Sequence, residues 1–286
     1  MFLDFHGLRE QPFGVTPDLR FLYLSPGHKE ALASLVYGLR SGAGFVVLVG
    51  QPGTGKTTLI FQMLEYFRNT ARTAFVFDSQ CDGRQLVRLI ISDLGLDARE
   101  TDPVLLHEQF RNLLLREAAA GRRTIVVVDE AQHLNPSAME SLRLLSNFET
   151  SHSKLVQFVL AGQPELSEKL VLRSLSQFRQ RVFTLVKLDA FPSAEVGKYI
   201  EHRLYIAGYR STTPLFTPEA VRSIATQSAG IPRNINNICF NALGLACANG
   251  QHTIDEQVIA QVVSDLDFSQ MPMPADENAL PSKDLR

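Results

Sequence analysis

The chain lacks the features that would place it outside the cytosol or on a polyanion. Its 286 residues hold three cysteines, Cys81, Cys239 and Cys247. They form no C-x-x-C and leave an odd count; reduced core thiols are the expectation, with a metal site the lesser alternative. No sign of charge is in excess, because 28 Lys and Arg face 30 Asp and Glu for a formal net of −2. Overall charge therefore announces neither a nucleic acid nor an anionic membrane as partner. No apolar run approaches the roughly 20 residues that span a bilayer; the nearest, 238–248, is interrupted by Asn241 and Gly244. The opening Met1 to His6 has no basic flank and no apolar stretch of a signal peptide. A cytoplasmic globular protein is expected, with 45% hydrophobic and 20% charged residues and length for one large domain or two ordinary ones.

What is present centres on Gly50-Gln51-Pro52-Gly53-Thr54-Gly55-Lys56-Thr57, which fits G-x-x-x-x-G-K-[ST]. The apolar run Phe45 to Val49 leads in, and Thr58 to Met63 leads out at helical spacing. That is strand, loop, helix. Glycines let backbone N–H groups from Gly50 through Thr58 curl around phosphate oxygens, and the helix N-terminus adds partial positive charge. Lys56 is expected on the β- and γ-phosphates, and the Thr57 hydroxyl on Mg²⁺.

A second half of the chemistry follows in Thr124-Ile125-Val126-Val127-Val128-Asp129-Glu130. Such a continuous apolar run suits a strand covered on both faces, as in a parallel sheet. The two acids then stand at its carboxyl end, where open α/β sheets bind ligands. Asp129 is expected to hold Mg²⁺ through its water shell, and Glu130 to orient and polarise the attacking water. The strand 154–161 ends in Gly162-Gln163-Pro164. Gln163 is placed either to touch the γ-phosphate and the water or to serve as a plain turn residue. Arg173, Arg179 and Arg181 cluster before and at a fifth strand, 181–188. An arginine at a subunit boundary can reach a neighbour's γ-phosphate, and Arg181 ranks first for that role in trans.

The pattern divides the chain into four parts. Residues 1–44 form an aromatic, proline-rich strap and one helix from about 27 to 39, capped by Ser25 with Pro26 first; they are expected to cover core surface as part of the ATPase domain. Within the strap, Tyr23 is the candidate border of an adenine pocket. Residues 45–188 read as the α/β core, with helices at about 84–94, 103–120, 136–148 and 166–180. Residues 189–266 show no strand pattern; helices near 193–208, 217–228, 232–249 and 255–266 make a small lid, with Ser193, Thr217 and Asp255 as N-caps. Pro232 and Arg233 open one of these helices after a tight turn, where Arg233 can fold back on the nucleotide. The last stretch, 267–286, is polar and expected to be disordered.

With these motifs in hand the chain resembles the AAA+ ATPases and, more narrowly, the general secretion pathway protein A (ExeA-type) family. Phe5-His6-Gly7-Leu8, Thr16-Pro17-Asp18 and Phe21-Leu22-Tyr23-Leu24-Ser25-Pro26 match that family's opening; Asp129-Glu130-Ala131-Gln132, Gly162-Gln163-Pro164-Glu165-Leu166 and Gln180-Arg181-Val182 match its later blocks. The likeness covers about residues 1–266. It implies a five-stranded parallel P-loop core, a helical lid, ATP or ADP with Mg²⁺ at their junction, and assembly of copies into a ring or filament. It also implies that Gln163 is the sensor 1 position, Arg181 a finger acting in trans and Arg233 the sensor 2 arginine. Secretion members carry a membrane segment and an envelope-binding region after the ATPase, whereas this sequence ends in a polar tail, so direct membrane insertion is not expected. A protein partner in secretion or envelope export is the first expectation; an ATP-dependent DNA-binding transposition regulator is the alternative.

Overall fold

A computed structural model describes residues 2–266 apart from 15, 78, 79, 98–101 and 152. The expected tail 267–286 lies outside the described residues, as does Asp78, the last residue of the apolar run 73–78 that the sequence offers as a second strand. Five parallel strands, β1 (Phe45–Gly50), β2 (Ala71–Val76), β3 (Arg123–Val128), β4 (Gln157–Gly162) and β5 (Val182–Leu188), form one sheet in the order β2-β3-β4-β1-β5. All of β1 and β4, and β3 from Thr124 on, are buried. That is the reason for their unbroken apolar runs: helices cover both faces.

On one face, α2 (Pro26–Arg40) and α3 (Lys56–Phe67) lay Leu35, Leu39, Leu59 and Met63 against Val46, Leu48, Val127 and Val159. On the other, α4 (Gly83–Asp93), α5 (Pro103–Ala119) and α6 (Pro136–Leu145) bring Ile90, Phe110 and Leu142 onto Val126, Val128, Phe158 and Leu160. Register sets the tips. Val49 pairs with Gly162, and Val128 with Leu160, so the end of β4 lies between the P-loop after β1 and the acids after β3.

The spacing from 166 to 180 suggests one helix, but the chain breaks it into α7 (Pro164–Leu170), a 3₁₀ turn at Arg173–Leu175 and α8 (Ser176–Arg179). The break falls at Val171 and Leu172, which are 64% and 55% exposed. Apolar spacing continued through residues that bury nothing, so periodicity alone ran past the end of the helix.

The lid comprises α9 (Ser193–Ile206), α10 (Pro218–Gln227), α11 (Pro232–Ala248) and α12 (Glu256–Leu266). Thr217 Oγ1 accepts from the Ala220 N–H at 3.2 Å, and Asp255 Oδ1 from the Val258 N–H at 3.1 Å, so both act as caps. Ser193 does not. Pro192 stands at the N-cap position of α9, with no side-chain cap bond, and Ser193 is the first helical residue.

The strap, which includes α1 (Phe2–Phe5), packs elsewhere than expected. Leu8, Phe13 and Phe21 share their hydrophobic cluster with Phe191, Tyr199, Ile235 and Leu243 of the lid, not with the sheet. The backbone crosses between the two bodies twice. Tyr23 packs with the lid cluster and Leu24 with the sheet; Leu188 packs with the sheet and Phe191 with the lid. Long-range pairing of aromatics decided this, and no local spacing encodes it. Among the described residues, no helix is long and apolar enough to cross a membrane.

Candidate active site

A cavity of about 290 Å³ opens between the strand tips, the strap and the lid. Its floor is the P-loop. Gly53 and Gly55 take φ of +80° and +95°, conformations that side chains strain to adopt. Gly55 is the N-cap of α3 and makes no side-chain cap bond, so the first N–H groups of the helix, at Lys56, Thr57 and Thr58, are left for an anion. Lys56 is buried and donates from Nζ to the carbonyls of Gly50 at 2.8 Å and Gln51 at 3.1 Å. Burial pulls its ammonium below the ordinary lysine range, while the charges of Glu130 and Asp129 oppose that pull.

From β3, Asp129 Oδ2 accepts the Thr57 hydroxyl at 2.8 Å, and Oδ1 accepts the Glu130 N–H at 2.9 Å. The next residue, Glu130, sits in the left-handed region at φ +48°. That turn directs its carboxylate into the cavity, where Oε2 accepts from Gln132 Nε2 at 2.6 Å and from Gln163 Nε2 at 3.3 Å. Burial acts to raise the Glu130 pKa, but the two amide donors and the charge of Lys56 outweigh it, and the carboxyl is held below its usual range. An ionised, hydrogen-bonded carboxylate beside a phosphate pocket can orient water. Thr57 and Asp129 together present hard oxygen donors, a set that fits Mg²⁺, which takes few protein ligands and completes its shell with water and phosphate. Among the described residues, no group of three or more His, Cys, Asp or Glu converges, so a cation site built wholly of such side chains has no counterpart here.

The lid reaches the floor directly. Arg233 donates its backbone N–H to the Gly53 carbonyl at 3.2 Å, and a Cβ built on Gly53 would stand 2.7 Å from Arg233 Cβ. Pro232 and Arg233 line the cavity, as do Tyr23 and Gln163. Tyr23 donates to Glu195 Oε2 at 2.7 Å, and burial, then Glu195, push its phenol up to about 12. Its ring also meets Phe191 and Tyr199 edge-on. Arg181 stands apart: it precedes β5 at the end of the sheet away from the P-loop, and its Nη1 donates to Ser146 Oγ at 3.1 Å.

Three contributors were not picked out by sequence reasoning. Gln132, in the 3₁₀ turn Ala131–His133, joins Glu130 to β4 by accepting the Gln163 N–H at 3.0 Å. A polar residue two positions beyond the acid pair was the available signal. His28, buried in the first turn of α2, has Nδ1 2.9 Å from Ser25 Oγ and Nε2 3.2 Å from the Thr54 carbonyl, with burial lowering its pKa against that carbonyl. A histidine three positions after a cap serine hinted at it. Arg203 lies four residues after Tyr199 on α9 and donates to it, but its other hydrogen bonds go to the distant strap, which local spacing does not announce.

Comparison with known proteins agrees with the geometry. A model described as an AAA domain matches residues 39–170. The chain is 42% identical over 255 residues to general secretion pathway protein A of Aeromonas hydrophila, covering 89% of this chain and 46% of that protein. It thus spans about half the length of that relative. In fold it is similar to the ORC2 protein of Aeropyrum pernix, solved as ADPNP and ADP complexes, at 20% identity and TM-score 0.65, over 90% of this chain and 71% of that one. It is also similar to Drosophila ORC bound to DNA, at 19% identity and TM-score 0.67, over 93% and 66%.

Proposed function

Because the chain is an AAA+ protein related to general secretion pathway protein A, we propose that it binds ATP with Mg²⁺ in this cavity and hydrolyses it, using the cycle to change its own assembly or that of a partner. The observation that carries this reading is the junction of the two motifs: Thr57 against Asp129 at 2.8 Å, with Lys56 buried beside them. The triphosphate lies along the P-loop N–H groups, and Lys56 exchanges its present carbonyl partners for phosphate oxygens. Thr57 and Asp129 hold the Mg²⁺, which when bound would neutralise charge building on the phosphates. Glu130 orients the attacking water and accepts its proton. Gln163, on the tip between the two motif-bearing strands, keeps the Glu130 carboxylate aimed. Phosphoryl transfer asks mainly for positioning and charge stabilisation, and these groups supply both.

Arg181 acts, in this reading, on the nucleotide of a neighbouring copy; its distance from the cavity of its own chain suits that role and no role in cis. Arg233 senses the nucleotide from the lid. The relative's name points to secretion as the process and to a protein partner in an envelope or export system. DNA as partner is the competing reading, and the net charge of −2 speaks against it. Phosphate release with Mg·ATP, measured against protein concentration, is the test. Release that rises more than linearly supports hydrolysis completed by a neighbour, and no release in an assembled sample refutes it. ATP-dependent, salt-sensitive DNA binding would move the proposal to the competing partner.

A further inference from the structure

Besides the P-loop, the cavity is lined by the strap and by lid side chains that include Tyr199 and Arg203 on α9 and Asn236 on α11. Arg203 is only 9% exposed, and the strap carboxylate of Asp18, on the same cavity, feels its charge. A buried guanidinium is costly unless its donors are filled. Here main chain fills them. Nε donates to the Pro12 carbonyl and Nη2 to the Gly14 carbonyl at 3.5 Å, while Nη1 donates to Tyr199 Oη at 2.9 Å. The Tyr199 hydroxyl donates in turn to Asn236 Oδ1 at 2.8 Å, and Asn236 Nδ2 donates to the same Gly14 carbonyl at 3.3 Å. The guanidinium carbon lies 5.0 Å from the Phe21 ring centroid, a cation–π contact that ties a second point of the strap.

A methionine or leucine would fill the same space without the desolvation cost but would hold neither carbonyl. The fork geometry of arginine is what joins Pro12, Gly14 and Tyr199 at once. We propose that Arg203 is a positioning residue for nucleoside recognition: by holding the strap at Pro12 and Gly14 it fixes Gly14, which lines the cavity, as part of the wall against which the base and ribose of the nucleotide rest. This rests on the reading of the cavity as an ATP site, because a triphosphate seated on the P-loop sends its nucleoside toward that wall. Among the described residues the hydrogen bonds of Arg203 go to Pro12, Gly14 and Tyr199 and none to the P-loop, so grip on the phosphates and grip on the nucleoside are separable.

The experiment compares dissociation constants for Mg·ATP and for inorganic tripolyphosphate, which has no nucleoside, in the wild type and in Arg203→Met, Arg203→Lys and Asn236→Ala. Arg203→Met should weaken ATP by about tenfold or more while tripolyphosphate changes by less than about twofold. Arg203→Lys, which keeps the charge and loses the fork, should recover part of the loss. In turnover, KM for ATP should rise by a larger factor than kcat falls. Undiminished ATP affinity in Arg203→Met overturns the proposal, as does an equal loss for both ligands. Should that variant not fold, Asn236→Ala decides: it cuts one tie to Gly14 and must also hurt ATP more than tripolyphosphate, and equal effects overturn the idea. A wild type that binds tripolyphosphate as tightly as ATP overturns the nucleoside wall alone, whereas one that binds neither refutes the ATP reading itself.

Discussion

The Thr57 hydroxyl donates to the Asp129 carboxylate across 2.8 Å, joining the helix after β1 to the end of β3 although β4 lies between those strands. In the proposed reading these two side chains would hold Mg²⁺ together. Replacing Thr57 with Val removes the hydroxyl while keeping the shape, and Asp129→Asn removes the charge. Both should raise the Mg²⁺ concentration needed for half-maximal turnover by about tenfold or more, with Asp129→Asn the worse. Titration of Mg²⁺ at fixed ATP reads this directly.

Glu130→Gln keeps the size of the side chain and its contacts with Gln132 and Gln163 but removes the carboxylate proposed as the base. Turnover should drop by about 10²- to 10⁴-fold, while equilibrium binding of ATP stays within a small factor. Since hydrogen bonds and Lys56 hold the Glu130 carboxyl below its ordinary value, the base should stay ionised as pH falls through the usual glutamate range. An acid limb in kcat starting near neutrality would then have to come from another group.

Acid should act on stability first through the histidines. His28, His6 and His202 all have their pKa lowered from 6.5, with burial the leading cause in each. Above the unfolded value these rings are neutral in both states and contribute nothing to the pH dependence. Below it the unfolded chain takes protons first, so stability should fall as pH drops under 6.5, by at most about 1.4 kcal/mol per pH unit for each whole proton. Thermal melts from pH 8 to 5 check this, and His28→Gln should make the acid limb shallower without abolishing it.

Gly53→Ala tests the latch between lid and floor. A methyl there would meet Arg233 Cβ at 2.7 Å and Ile231 Cγ2 at 3.1 Å, on a backbone at φ +80°. The cost should be about 1–3 kcal/mol of folding stability, and nucleotide affinity should fall because the P-loop and lid cannot both keep their places. Melting temperature and ATP binding, measured together, distinguish this from a purely local strain.

Mixing experiments address Arg181. Neither Lys56→Ala nor Arg181→Ala alone should turn over, yet equal parts of the two should regain activity where one copy lends its intact Arg181 to the other's intact P-loop. A mixture as idle as its components would remove the trans role.

The strand–loop–helix around Lys56 and the acid pair after β3 were legible because each is contiguous: buried runs show as unbroken apolar letters, and phosphate loops need glycine at set spacings. Helix starts were legible where a side chain makes the cap, as at Ser25, Thr217 and Asp255, and misread at Ser193, where a proline stands in that place without a capping bond. What stayed hidden was long-range. The link from His28 to the Thr54 carbonyl and that from Arg203 to Pro12 depend on which surfaces meet, and one-dimensional spacing carries no such information. The strap shows the same limit, since its aromatics announce burial without saying against what.

That strap has a consequence for synthesis. Its aromatic partners are encoded at the far end of the chain, beyond every strand of the sheet. A ribosome delivers Phe13 and Phe21 first, and they must wait exposed until α9 and α11 emerge, while the sheet between can already consolidate. A nascent chain halted after β5 should therefore resist protease across its middle and be clipped near its start.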